Sequence, residues 1–130
     1  NTINFKINNK TGKKVIINFD NEQFNRLFFN LIKNSIESIK EKVKKTNNSL
    51  KNIDIEINQR RDYITVNLTD TGVGFRDKKT KDIIKPYYTT KEKGTGLGLS
   101  IVDKIINDHN GSIKFLNTNN GAKVQIIIPK

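Results

Sequence analysis

The hydrophobic period of this chain switches from helical to strand spacing near its middle, and that change limits what it can fold into. Phe24, Phe28, Leu31, Ile32, Ser35, Ile39 and Val43 fall on one broad stripe at helical spacing. Beyond them Ile53, Ile55 and Ile57 alternate with Asp54 and Glu56, and Ile64, Val66 and Leu68 alternate with Thr65 and Asn67. A long amphipathic helix must therefore be followed by two half-buried strands, joined tightly around Arg60-Arg61-Asp62. Asp20 or Asn21 supplies the helix N-cap, and the polar run 46–49 ends the helix near Lys45.

The flanks complete the pattern. Thr2–Asn8 and Lys14–Phe19 read as two short strands split by the turn signal Asn9-Lys10-Thr11-Gly12. A second helix is expected from about Gly96 to His109, closed by Asn110-Gly111 in a left-handed cap, and strands Ser112–Leu116 and Lys123–Ile128 end the chain. Between Thr71 and about Thr95 neither period holds, which marks a long functional loop. Helices interspersed among strands, with an antiparallel ending, predict one α+β domain: a mixed sheet carrying helices on one face, a two-layer α/β sandwich.

Composition excludes several chemistries. A chain of 130 residues with no Cys and a single His has no disulfide framework, thiolate zinc site or cysteine nucleophile. No apolar run approaches the roughly 18 residues of a membrane span. The net charge of +11 points to an anionic partner. Yet Lys, Ile and Asn make up 59 of the 130 residues, and all three have A/T-rich codons, so coding bias explains much of that charge equally well. The chain opens at Asn1 without an initiator Met, as expected for a piece of a longer polypeptide.

The residues that can carry chemistry cluster at the element ends. Asp70 shares a strand face with Ile64, Val66 and Leu68, so its carboxylate points inward, where it needs a donor such as an adenine amino group or a held water. The alternative is an Asp that opens an Asx-turn into Thr71-Gly72. Gly72 and Gly74 then allow a close backbone approach to a flat ligand. Lys93-Gly94-Thr95-Gly96-Leu97-Gly98-Leu99 opens a helix with three alternating glycines, which suits phosphate held on backbone N–H groups. Asn30 and Asn34 stack one turn apart on the first helix, and a neutral amide oxygen suits Mg²⁺ already carried by phosphates. In a chain with 19 Asn, chance polar decoration is the competing account. Lys91 either neutralises a terminal phosphate or is one more solvated lysine, and Tyr87-Tyr88 packs the loop onto the core. His109, at a helix end, reads as a capping or packing residue rather than a phosphoacceptor.

Taken in order, these segments resemble the ATP-binding catalytic domain of sensor histidine kinases, within the wider Bergerat-type (GHKL) group. Asn25–Ser35 resembles the N box, Asp70–Gly74 the first glycine box, Pro86–Lys91 the F-box region and Gly94–Leu99 the second glycine box. The run from Tyr87 to Leu99 is most similar to the nitrogen-regulation branch. The resemblance implies that Asp70 reads the adenine amino group and that Gly74 lets the backbone pass close to the ring. It implies that Asn34 ligates Mg²⁺ on ATP, with Asn30 supporting the phosphates. Gly94, Gly96 and Gly98, with Thr95 and Leu97 between them, would form the phosphate cradle of a mobile lid, and Lys91 would approach the terminal phosphate as a catalytic charge.

Position 30 separates branches of the group. ATP-hydrolysing members carry a general-base Glu four residues before the magnesium Asn, and here Asn30 cannot take a proton, so transfer to an imidazole is favoured over hydrolysis. The chain departs from the family at Glu37 and Ser38, where many histidine kinases have a basic and an aromatic residue, and at Ile84 and Lys85 in the F box. The implied function is to donate the γ-phosphate of Mg-ATP to a His on a separate helical dimerisation domain, with a response regulator downstream. The resemblance also implies a monomeric fragment from the cytoplasmic part of a membrane-bound homodimeric sensor. The rival readings are an ATPase or nucleotide switch of the same fold, and a basic nucleic-acid-binding module resting on charge alone.

Overall fold

The computed structural model describes residues 2–46, 50–75 and 98–130. Their order is β1 (Asn4–Asn9), α1 (Asn21–Thr46), β2 (Asn52–Gln59), β3 (Tyr63–Asp70), α2 (Gly98–Asp108), β4 (Ser112–Asn117) and β5 (Ala122–Pro129). The five strands form one sheet in the order β1-β2-β3-β5-β4. β1 runs parallel to β2, which only a crossover allows, and α1 lies within that crossover. All other pairs are antiparallel, so the sheet is mixed as expected.

α1 begins where its capping chemistry places it. The Asp20 carboxylate accepts the Gln23 N–H at 2.9 Å, and its carbonyl accepts the Phe24 N–H at 2.8 Å. Glu22 in the first turn and Lys44 and Lys45 in the last complement the helix dipole. Leu27, Leu31, Ser35 and Ile39 are its buried residues, each one turn apart. Leu27, fully buried, was outside the expected stripe, whereas Phe24 at the stripe's edge is more than a third exposed.

The sheet buries one face. Ile53 and Ile55 on β2, Ile64, Val66 and Leu68 on β3, Phe115 on β4 and Val124, Ile126 and Ile128 on β5 share one cluster with Leu27, Leu31 and Ile39 of α1. Val102, Ile105 and Ile106 of α2 complete it, so both helices cover the same face. No helix among the described residues is long and apolar enough to cross a membrane.

One expected strand is absent. Residues 14–19 alternate as a strand does, with Val15, Ile17 and Phe19 against the core and Ile16 exposed, but they join no ladder. Alternation reports which side chains face the interior, not whether a neighbouring strand takes the backbone hydrogen bonds. The β2–β3 hairpin turns at Arg61-Asp62 as expected, closed by the Arg60 N–H on the Tyr63 carbonyl at 2.8 Å. α2 ends with Asn110 in the left-handed region at φ 61°, and the Gly111 N–H returns to the Ile106 carbonyl at 2.9 Å.

His109 is a packing residue. Its ring stacks on Phe19 with centroids 3.6 Å apart and planes 5° from parallel. Its Nε2 accepts the Asp20 N–H at 3.1 Å, and Nδ1 donates to the Ile105 carbonyl at 2.8 Å. Both ring nitrogens are thereby engaged where α2 ends and α1 begins.

Candidate functional site

Asp70 closes β3 on the core face, paired with Ile53 on one side and Ala122 on the other. Only 5% of its surface is exposed, so the inward orientation expected from strand alternation holds. The Asx-turn is present too, with Oδ1 accepting the Gly72 N–H at 2.9 Å. The two readings of Asp70 are compatible, because an ionised carboxylate has about four acceptor positions. Burial pushes the carboxyl above its ordinary value; opposing this are hydrogen bonds from Gly72, the Ser35 hydroxyl and the Ala122 N–H, and the charge of Lys42.

The turn after Asp70 is closely fitted to its surroundings. A side chain on Gly72 would collide with Ser38, including its backbone carbon at 2.8 Å. Gly74 has φ 80°, a conformation that costs an L-residue about 1–2 kcal/mol. Beneath the turn lies Gly121, where a Cβ would strike the Asp70 carbonyl oxygen and meet the Gly72 nitrogen at 2.8 Å. That approach positions the β4–β5 hairpin against the strand end. Lys42 of α1 donates to the Asn120 carbonyl, tying the helix to the same hairpin.

The second group of candidates lies on α1. Asn30 and Asn34 are half-buried, and both amides converge on the first residue of α2. A Cβ on Gly98 would meet Asn34 Nδ2 at 3.5 Å, Asn34 Oδ1 at 3.8 Å and Asn30 Oδ1 at 3.9 Å. The structure thus brings Asn30, Asn34 and Gly98 together, with Ser35 linking the same helix turn to Asp70. A helix N-terminus faced by two neutral amides is suited to an anion carrying a divalent cation. Lys91, Gly94, Thr95, Gly96 and Leu97, with the Tyr87-Tyr88 pair, lie outside the described residues. No cluster of acidic, His or Cys side chains that could hold a metal unaided occurs among the described residues.

Three participants were not among the expected site residues: Ser35, read only as part of the apolar stripe, Ser38 and Asn117. Ser38 follows Asn34 by four residues, so helical spacing could have placed it on the same face, whereas Ser35, one residue on, carried no such signal. Asn117 offered no comparable signal.

Among the described residues, two helices over a five-stranded mixed sheet, with a buried strand-end carboxylate and paired amides at a helix start, define a class of domain that comparison makes specific. The family of histidine kinase-, DNA gyrase B- and HSP90-like ATPases matches residues 19–130, and the chain belongs to it. Sporulation kinase C of Bacillus subtilis is 35% identical over 115 residues, covering 88% of this chain and 25% of that protein. Nitrogen regulation protein NtrY of Azorhizobium caulinodans is 34% identical over 96 residues, covering 74% of this chain and 12% of that protein. The chain therefore spans a quarter or less of these relatives. Among solved structures, the catalytic domain of histidine kinase ThkA superposes with a TM-score of 0.79 at 30% identity, covering 98% of this chain and 79% of that one. The mycobacterial sensor histidine kinase MprB shares the fold, with a TM-score of 0.75 at 19% identity over 98% of this chain and 81% of that one. The protein is thus a histidine kinase-type ATPase domain, as found in sensor kinases.

Proposed function

We propose that this domain binds Mg-ATP and presents its γ-phosphate to a histidine on a separate helical dimerisation domain, for onward transfer to a response regulator. The observation that carries the reading is Asp70, a buried carboxylate opening a glycine turn, joined through Ser35 to the helix turn that bears Asn34. A carboxylate at an apolar strand end is, in its ionised form, a strong acceptor for an adenine amino group. Asn34 would hold Mg²⁺ from the protein side, with Asn30 beside the phosphates and the α2 N-terminus facing their charge. When bound, Mg²⁺ would neutralise charge developing on the transferring phosphoryl group.

The same residues favour transfer over hydrolysis. Asn30 lies beside the phosphate position but its amide cannot accept a proton, so no general base for water stands there. An imidazole needs no such base. His109 is held by Phe19, Asp20 and Ile105, so the acceptor is sought on another domain.

The test combines binding and transfer. Titration calorimetry should show Mg-ATP binding that weakens about tenfold or more in Asp70→Asn, the loss expected for a hydrogen bond to a charged group. Labelled ATP, this domain and the helical His domain of a sensor kinase should together yield an acid-labile phosphohistidine. Steady ATP turnover without any His domain would instead favour an ATPase switch.

A further inference from the structure

The turn that leaves Asp70 is bracketed by side chains from two different elements. From α1, Ser38 Oγ accepts the Val73 N–H at 2.9 Å. From β4, Asn117 Oδ1 accepts the Phe75 N–H at 2.7 Å while its Nδ2 donates to the Phe75 carbonyl at 3.0 Å. This reciprocal pair imitates one rung of a strand ladder where no strand exists. Asn117 and Gly74 are also matched in shape, since a Cβ on Gly74 would lie 2.7 Å from Asn117 Oδ1. Phe75 packs edge-on against Phe115, two residues before Asn117, with centroids 5.4 Å apart and planes at 73°. One strand thus holds both the main chain and the ring of Phe75.

These hydrogen bonds lie at the surface. Water could satisfy the same backbone groups if the side chains were removed, so their contribution to stability is small. What water could not supply is a single conformation of the main chain from Val73 to Phe75. That stretch contains Gly74, where the family resemblance implies that the backbone passes close to the base.

We propose that Ser38 and Asn117 are positioning residues for the nucleobase, fixing the glycine turn so that Gly74 and the Asp70 carboxylate meet the adenine together. The inference rests on the Mg-ATP reading and deepens it. Neither residue is offered as a ligand; each acts through the main chain of the turn. A loosened turn must be ordered again on binding, and that cost falls on the base rather than on the phosphates.

The experiment measures Mg-ATP affinity by calorimetry and Mg-GTP affinity by competition, alongside thermal midpoints without nucleotide. The parent is compared with Ser38→Ala, Asn117→Ala and Asn117→Asp. Each alanine variant should bind ATP about fivefold more weakly, the fold-change for about 1 kcal/mol of main-chain ordering left to be made on binding. Preference for ATP over GTP should narrow, while the thermal midpoint stays near that of the parent. Asn117→Asp keeps the volume and the acceptor for the Phe75 N–H but sets a second acceptor against the Phe75 carbonyl, so it should lose at least as much as Asn117→Ala, and it replaces that variant if the alanine does not fold. Unchanged ATP affinity in folded variants, or equal losses for ATP and GTP, overturns the positioning role. A parent that binds no Mg-ATP overturns the functional reading itself, a result distinct from variants that bind as the parent does.

Discussion

The amide of Asn34 faces the first residue of α2, 3.5 Å from where a side chain on Gly98 would begin. Asn34 stands near the middle of α1, 64 residues from Gly98 in sequence (98 − 34), and only the packing of α2 against α1 brings them together. The relationship separates what the fold needs at Gly98 from what a ligand there needs.

A methyl group at 3.5 Å is in ordinary van der Waals contact, so Gly98→Ala should fold. It should be as stable as the parent or gain up to about 1 kcal/mol from helix propensity. The same methyl would occupy the space between the two amides and the helix start, so Mg-ATP affinity should fall several-fold. Thermal unfolding and calorimetry on the same variant test the split, and unimpaired ATP binding would remove Gly98 from the phosphate site.

Gly121 should behave in the opposite way. An added Cβ there meets main-chain atoms of Asp70 and Gly72, which cannot swing aside as a side chain could. Gly121→Ala should therefore lose about 1–3 kcal/mol in denaturant unfolding, the range for overpacking. Trimming nearby side chains, for example Ser38→Ala, should not restore it.

His109→Ala should weaken the fold without abolishing phosphotransfer. The substitution removes the Phe19 stack and the acceptor for the Asp20 N–H at the start of α1. An aromatic contact beyond burial is worth about 0.5–1.5 kcal/mol and a hydrogen bond a similar amount, so a loss of about 1–3 kcal/mol is expected. If phosphotransfer to a supplied His domain vanished while the variant remained folded, His109 would have a chemical role that its packing does not explain.

These outcomes follow the division between what was legible in the sequence and what was not. Asp70 could be placed because β3 alternates strictly up to it, and a period of two fixes which face each residue takes. Asn30 and Asn34 could be paired because helical spacing puts them one turn apart. Residues 14–19 misled because their alternation is real but serves packing under the helix layer rather than a ladder. What Ser38 and Asn117 hold was beyond reach for another reason. They bond to main-chain groups 35 and 42 residues away, and the target loop has no period of its own. In a chain this rich in Asn, nothing local distinguishes Asn117 from its neighbours.

Burial of Asp70 should make the stability of the fold depend on pH. Desolvation by burial raises its folded-state value above the ordinary 3.8, although Gly72, Ser35, Ala122 and Lys42 all favour the ionised form. The folded protein therefore holds this proton to higher pH than the unfolded chain does. Below the ordinary value both states are protonated and the group costs nothing. As pH rises from there through the raised folded value, stability attributable to Asp70 is lost, and above that value the loss is complete. Asp70→Asn carries no charge to desolvate, and its Oδ1 still accepts the Gly72 N–H. Without nucleotide it should be at least as stable as the parent at neutral pH, and the difference between the two should shrink on acidification across that window. Yet the Asn NH₂ would present a donor to the adenine amino donor, so the variant that gains stability should lose ATP binding. Chemical denaturation of both proteins from acid to neutral pH measures the difference. A variant less stable than the parent at neutral pH, with no narrowing on acidification, would show that the ionised carboxylate supports the fold rather than being held there at the fold's expense.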